Sequence, residues 1–182
     1  MKKIAIIGHF GGQEKFCDGQ TVKTMNLTNL LASCPDISVR RVDTYYAKSN
    51  KLKLLFHTLK ALFACKHVFL LVSVNGMKFY LPFLHYMNKV TRRKIYHYII
   101  GSELLAMVKG NPKFVKYLNS LSVNWFEYDS GTKYLQSQGV VNVSTLPNFK
   151  ILTPVKEPSA YNQASGVFRF CFQRCFRGFL VL

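Results

Sequence analysis

The sequence predicts an α/β fold, a single doubly wound Rossmann-like domain with a mostly parallel sheet, followed by a short C-terminal extension. The first observation is a continuous apolar run at residues 4–8 that leads into a glycine turn ending at Gly12. A run without alternation is typical of a strand that is buried on both faces. The second observation is that strand-like and helix-like segments alternate along the chain, as they do in parallel sheets covered by helices on both faces.

Each element follows from its local pattern. Short apolar or alternating runs bounded by turn residues predict strands at residues 4–8, 37–44, 68–74, 94–100, 123–128 and 140–146. Helical periodicity and capping residues predict helices at residues 21–32, 50–65, 78–90, 103–108, 112–120 and 132–138. We expect Asp18 or Thr21 to cap the first helix and Asn50 the second. Pro82 is expected in the first turn of the third helix, where proline is tolerated.

The alternating pattern dissolves beyond Pro147. Pro147, Pro154 and Pro158 lie close together, which is typical of a linker. One more strand could begin at residues 167–172. We therefore expect a Rossmann-like N-terminal domain at residues 1–147, and a linker with the truncated start of a second domain at residues 148–182.

The chain is strongly basic, with 25 Lys and Arg residues against 8 Asp and Glu residues and a formal net charge of +17. Such a surface attracts phosphates, nucleic acids or anionic lipids, and charge alone does not choose among them. No apolar run approaches the ~20 residues of a membrane span, and the N-terminus lacks a signal-peptide pattern, so we expect a cytoplasmic protein. The spacing of the five cysteines predicts no metal site, and no cofactor is expected.

The loops that follow the strands are the candidate ligand-binding cleft, because ligands of doubly wound folds bind at the carboxyl ends of the strands. Glycines there let backbone amides approach a phosphate, although the spacing matches neither the dinucleotide fingerprint nor a Walker A loop. The alternative is that the glycines and strand-exit residues only form turns. The candidate cleft residues are His9, Gly11, Gly12, Gln13, Gln20, Thr21, Lys23, Ser73, Asn75, Gly101 and Ser102. Near the strand ends, Glu103, Glu127 and Asp129 read as caps or surface charges, and no catalytic residue is assigned.

The predicted second helix combines an apolar face with lysines and contains no acidic residue. Its apolar face is expected to comprise Leu52, Leu55, Phe56, Leu59, Leu62 and Phe63. One interpretation is a core helix with a solvated back. The other is docking to an anionic membrane leaflet, for which the candidate residues are Lys51, Lys53, Lys60, Arg92 and Arg93.

Three segments resemble one family when taken in order. They run from residue 7 to residue 24, from Tyr98 to Pro112, and from Gly139 to Lys150. Together they resemble the N-terminal half of a bacterial retaining glycosyltransferase of the two-Rossmann-domain (GT-B) type. The similarity is to the group 1, family 4-like enzymes of surface polysaccharide biosynthesis, and it spans roughly residues 2–172.

The resemblance implies that this domain binds a saccharide or lipid-linked acceptor at the inner face of the membrane. A nucleotide sugar would be bound only together with a second domain, which carries an acidic donor-binding motif. The family's glycine loop faces the donor phosphates, a role that falls on Gly11 and Gly12 with His9, Gln20 and Thr21 nearby. The segment from Phe172 looks like translation in the wrong frame, so we expect this chain to lack the second domain and to transfer no sugar alone.

Two rival readings remain at this point. One is a non-enzymatic basic module that binds anionic membrane lipid or a partner subunit. The other, nucleic-acid binding, rests on charge alone and lacks a recognition motif, so we do not expect a nucleic-acid partner.

Overall fold

The computed structural model describes residues 1–12, 14, 18–47 and 49–147. The predicted extension at 148–182, with its additional strand at 167–172, lies outside the described residues, as does Gln13. The division of the chain at residue 147 therefore stays a prediction.

The described residues form one six-stranded sheet in the order β2-β1-β3-β4-β5-β6. Every neighbouring pair of strands is parallel. The strands are β1 Lys2–Gly8, β2 Ile37–Asp43, β3 His67–Leu71, β4 Lys94–Tyr98, β5 Val123–Phe126 and β6 Val143–Thr145. The predicted α/β class with a mostly parallel sheet is confirmed.

Helices connect successive strands. They are α1 Gly19–Ala32, α2 Lys51–Ala64, α3 Val74–Thr91, α4 Glu103–Val108, α5 Pro112–Asn119 and α6 Asp129–Ser137, with a 3-10 turn at Thr44–Ala47. The Asp18 carboxylate caps α1 by accepting from the amides of Gln20 and Thr21. Asn50 caps α2 by accepting from the amide of Lys53. Both caps satisfy helix amides that have no intrahelical acceptor.

The two faces of the sheet are covered differently. The main hydrophobic core joins the face of Ala5 and Ile7 to buried side chains of the helices from α2 onward. The opposite face of β1 packs on α1, where the Thr24 side chain lies so close to Gly8 that a Cβ there would come within 2.8 Å of it. This division follows from the right-handed crossover rule, because the chain leaves β1 toward β2 and then turns back to β3 on the other side.

The prediction for the third strand and helix is wrong at their junction. Strand β3 ends at Leu71, and α3 begins at Val74 with Ser73 as its N-cap. Gly76 lies in the first turn of the helix, where a Cβ would approach the Val72 Cβ to 2.9 Å. Pro82 is consequently in the helix interior rather than in its first turn, and it provides no amide for the i→i−4 hydrogen bond.

The predicted apolar core face of α2 is only partly confirmed, because Leu62 is buried and Leu55 and Leu59 are half-buried. Its buried residues are Leu54, Thr58, Ala61 and Leu62. In contrast, Leu52, Phe56 and Phe63 are 80%, 64% and 59% exposed. On the inner side, the Thr58 hydroxyl lies 3.3 Å from the hydroxyl of Tyr80 on α3.

Within the described residues, the helices are too short or too polar for any of them to span a bilayer.

Candidate functional site

The carboxyl edge of the sheet, meaning the edge at which all six strands end, is the candidate site. The strand order reverses between β1 and β3, which is the position at which doubly wound folds place their ligand crevice. The β1–α1 loop and the first turns of α1 contribute His9, Thr21 and Lys23, and the loop after β4 contributes Gly101 and Ser102. Most of the predicted cleft residues are therefore brought to one edge.

A chain of hydrogen bonds joins His9 to the start of α1. The Thr21 hydroxyl donates to Asp18 Oδ2 at 2.6 Å, so it accepts from His9 Nδ1 at 2.7 Å. Partial burial raises the pKa of Asp18, but hydrogen bonds from Thr21 and the charge of His9 outweigh it, so the pKa lies below its usual value. The arrangement fixes the His9 ring at the mouth of the β1–α1 loop.

The glycine loop is closed by an internal carboxylate. Asp43, at the end of β2, accepts from the amides of Phe10 at 2.9 Å, Gly12 at 3.0 Å and Tyr45 at 2.9 Å. The sequence interpretation offered the loop amides to a phosphate and did not consider Asp43. In the structure, two amides of this loop already bind an anionic group of the protein itself.

Both glycines of the loop have backbone conformations that favour glycine. The φ angle is 85° at Gly11 and 59° at Gly12. A Cβ at Gly12 would also lie 2.5 Å from the ring of Tyr45. The Tyr45 hydroxyl donates to Glu14 Oε1 at 2.9 Å, so this ring is held against the loop. The turn that the sequence predicted therefore requires glycine for its backbone conformation. At Gly12 the Tyr45 ring is a second reason for glycine, which the sequence interpretation did not include.

Two predicted cleft residues link α1 to the ends of other strands. Gln20 donates from its side-chain amide to the Leu71 carbonyl at the end of β3, at 3.2 Å. Lys23 forms an ion pair with Glu127, the residue after β5, and its ammonium lies 6.0 Å from the ring centroid of Tyr98. Burial lowers the pKa of Lys23, while the adjacent carboxylate favours the charged form. The pair links α1 to the far side of the crevice.

A pocket of about 160 Å³ lies at the ends of β4 and β5. It is lined by Ile99, Gly101, Ser102, Phe126, Glu127 and Tyr128. Gly101 has a φ of 82°, and a Cβ there would come within 2.9 Å of a Glu103 carboxylate oxygen. Gly101 and Ser102 were predicted cleft residues. Glu127 and Tyr128 were not, although a carboxylate and an aromatic side chain directly after a buried strand were a visible signal.

Ser73 and Asn75 do not line this pocket. Ser73 is the N-cap residue of α3 but makes no side-chain capping hydrogen bond, and Asn75 lies in the first turn of that helix. Both are exposed at the same edge of the sheet. Their assignment to a cleft stays a prediction.

The end of β6 is hydrogen-bonded to Asp129, a residue that the sequence interpretation treated as a cap or a surface charge. The Thr145 hydroxyl donates to Asp129 Oδ1 at 2.5 Å and lies 3.0 Å from the Thr132 hydroxyl. These contacts tie the first turn of α6 to β6. Asp129 is therefore a structural residue that orders the border of the pocket next to Tyr128.

The predicted membrane-surface residues divide into two groups. Lys51, Lys53, Lys60 and Arg92 are exposed. Arg93 instead donates from Nε to the Leu62 carbonyl at 2.8 Å and from Nη2 to the next carbonyl at 3.2 Å. A guanidinium at the C-terminus of α2 satisfies carbonyls that lack intrahelical donors and complements the helix dipole.

Among the described residues, no group of three or more His, Cys, Asp or Glu side chains is arranged to hold a metal ion. Comparisons with protein-family models, with curated proteins and with solved structures found no match for this chain. The fold and the site geometry therefore carry the functional argument.

Proposed function

We propose that the described domain is the acceptor-binding domain of a bacterial glycosyltransferase-like protein of surface polysaccharide biosynthesis. The observation that carries the proposal is the pocket at the ends of β4 and β5, beside the crevice at which the strand order reverses. Its hydroxyl, carboxylate and aromatic lining suits a polyhydroxylated ligand. The resemblance in three ordered sequence segments adds the reaction class.

The nucleotide sugar requires a second domain in this proposal. Stabilising the leaving diphosphate is the main electrostatic task of sugar transfer, and preorganised donors are usually the largest catalytic contribution. The amides of Phe10 and Gly12 are engaged by Asp43, and the Lys23 ammonium is engaged by Glu127. The described domain thus offers an acceptor site, and we expect no transfer by this chain alone.

A binding and turnover experiment tests this proposal. The purified chain is incubated with a panel of nucleotide sugars and a lipid-linked saccharide, and both binding and nucleotide release are measured. We expect saccharide binding without nucleotide release. Nucleotide release by the chain alone, or nucleotide-sugar binding without saccharide binding, would overturn the assignment to the acceptor side.

Peripheral membrane binding is a second candidate function, favoured by the outer surface of α2 and α3. Both helices expose apolar side chains: Leu52, Phe56, Phe63, Phe79, Tyr86 and Val90. On α2, Lys53 and Lys60 lie on the same outward side as Phe56 and Phe63, since residues three and four apart share a helix face. All charged residues between Asp43 and Glu103 are Lys or Arg.

This combination fits an anionic bilayer surface. Interfacial helices insert their apolar side chains at the headgroup boundary while lysines contact anionic lipids. Each lysine near such a surface contributes about 1 kcal/mol, and the attraction weakens with salt. We propose that α2 and α3 form this membrane-facing surface, which would also bring a lipid-linked acceptor within reach.

Co-sedimentation with liposomes tests the surface, using neutral and anionic vesicles at low and high salt. The triple variant Lys51→Glu, Lys53→Glu, Lys60→Glu should lose most binding. A matched control with the same change of net charge reverses three exposed lysines outside α2 and α3, namely Lys109, Lys113 and Lys133. Equal binding to neutral vesicles, or equal losses in both triple variants, would refute a specific membrane-facing surface.

A further inference from the structure

The carboxyl edge bears the acidic side chains of an otherwise basic domain. Of the acidic residues that the structure describes, only Asp36 lies elsewhere, just before β2. The others lie at or after the carboxyl ends of strands: Glu14, Asp18, Asp43, Glu103, Glu127 and Asp129. Negative charge is therefore concentrated at this edge, which disfavours a free anion there and does not repel an uncharged ligand.

Two groups at this edge that could recognise phosphate, the glycine-loop amides and the Lys23 ammonium, are paired with protein carboxylates. The amides of Phe10 and Gly12 donate to Asp43. The Lys23 ammonium is paired with Glu127. A phosphate that used the loop amides or Lys23 would have to displace one of these carboxylates and leave it unpaired, which is costly for a partly buried charge.

The pocket at the ends of β4 and β5 has a size and a lining that suit a small, uncharged ligand. At about 160 Å³ it is smaller than the roughly 300–1,000 Å³ of sites for drug-sized ligands. Tyr128 is 43% exposed, and its ring is fixed edge-on against Phe126 at a centroid distance of 4.7 Å. Carboxylate and hydroxyl oxygens of Glu127 and Ser102 provide hydrogen-bond acceptors beside this apolar surface.

We propose that this pocket binds a single uncharged pyranose ring, which contacts Tyr128 with its apolar face and donates hydroxyl hydrogens to Glu127. Lys23 neutralises Glu127, so the carboxylate accepts from neutral hydroxyls without attracting a cation strongly. The site selects neutral saccharides over acidic sugars and inorganic phosphate. This inference rests on the proposed acceptor function and specifies its ligand and position.

Saturation-transfer NMR and titration of the full chain test the proposal. The probes are glucose, galactose, mannose and N-acetylglucosamine as neutral sugars, with glucuronate and inorganic phosphate as anions. We expect at least one neutral sugar to bind, with both anions weaker. Tyr128→Ala should weaken that binding by about fivefold or more, because it removes the ring contact. Glu127→Gln should also weaken it, because it replaces a charged acceptor with a weaker neutral one. Tyr46→Ala is the matched control, since Tyr46 is equally exposed at 43% and lies outside the pocket.

Circular dichroism of each variant verifies folding, and Tyr128→Ala keeps the test decisive if Glu127→Gln unfolds. Stronger binding of glucuronate or phosphate than of any neutral sugar would overturn the selectivity. Saccharide binding that is unchanged in Tyr128→Ala would reject this pocket but leave the acceptor function standing. No binding of any saccharide, monosaccharide or lipid-linked, would reject both.

Discussion

Protonation of His97 should destabilise the fold as the pH falls. His97 is fully buried on β4, and its Nδ1 donates to Asn124 Oδ1 at 3.0 Å. The Asn124 amide is oriented by its own donation to the Leu118 carbonyl and to Asn142 Oδ1. His97 Nε2 makes no hydrogen bond with the described residues. A proton on Nε2 would thus place a charge in the core without an acceptor.

The magnitude follows from the pKa. Burial lowers the pKa of His97 from 6.5 to about 4, although the hydrogen bond to Asn124 opposes this. Between these values the unfolded chain binds more protons than the folded one, so the free energy of unfolding falls as the pH decreases from 6.5 toward 4. At about 1.4 kcal/mol for each pH unit, the full loss is about 3 kcal/mol, and the contribution is fully present only above pH 6.5.

Urea denaturation followed by circular dichroism from pH 7.5 to 4 measures this dependence. His97→Gln removes the titrating group but keeps a side-chain donor for Asn124. Burial also lowers the pKa of His67 and His85, so they contribute in the same direction and their effect remains in the variant. His57→Gln is the control, since His57 is exposed on α2.

We expect the wild-type and His57→Gln proteins to lose stability along the same curve as the pH falls. The His97→Gln curve should be flatter by about 3 kcal/mol over the window from pH 6.5 to 4. Parallel curves for wild type and His97→Gln would refute the reasoning, because they would show that His97 does not couple protonation to unfolding.

Three further substitutions probe the loops and helix ends. Asp43→Ala leaves three backbone amides without their acceptor and should lower the free energy of unfolding by ~1–3 kcal/mol, measured as a lower Tm. Asp43→Asn should lose less stability because it keeps an acceptor oxygen. Gly12→Ala should cost ~1–2 kcal/mol through its φ of 59°, and removing the Tyr45 ring in the same protein should restore only part of this. Arg93→Gln should cost ~1 kcal/mol and speed amide exchange in the last turn of α2, while the neighbouring Arg92→Gln should not. An unchanged Tm in Asp43→Ala or Gly12→Ala, or equal exchange in the two arginine variants, would contradict the corresponding contact.

The sequence by itself determined the order and type of the elements and the parallel sheet. Unbroken apolar runs such as that ending at Gly8 can only be buried on both faces, and the helices between them require crossover connections. The caps at Asp18 and Asn50 were also readable, because a capping side chain bonds to amides two or three residues ahead. These features depend on neighbours in the chain.

Only the tertiary structure decided which groups meet at the carboxyl edge and which side of α2 is buried. Asp43 reaches amides about thirty residues away, and Lys23 reaches Glu127 across several strands. Phe56 and Phe63 are exposed and Thr58 is buried beside α3, although the helical periodicity of apolar residues placed both aromatic side chains on the core face. Such pairings are set by the packing of elements that are distant in the chain, and local spacing carries no signal for them. The glycine loop, whose sequence suggested phosphate binding, is for this reason held by the protein's own carboxylate at Asp43.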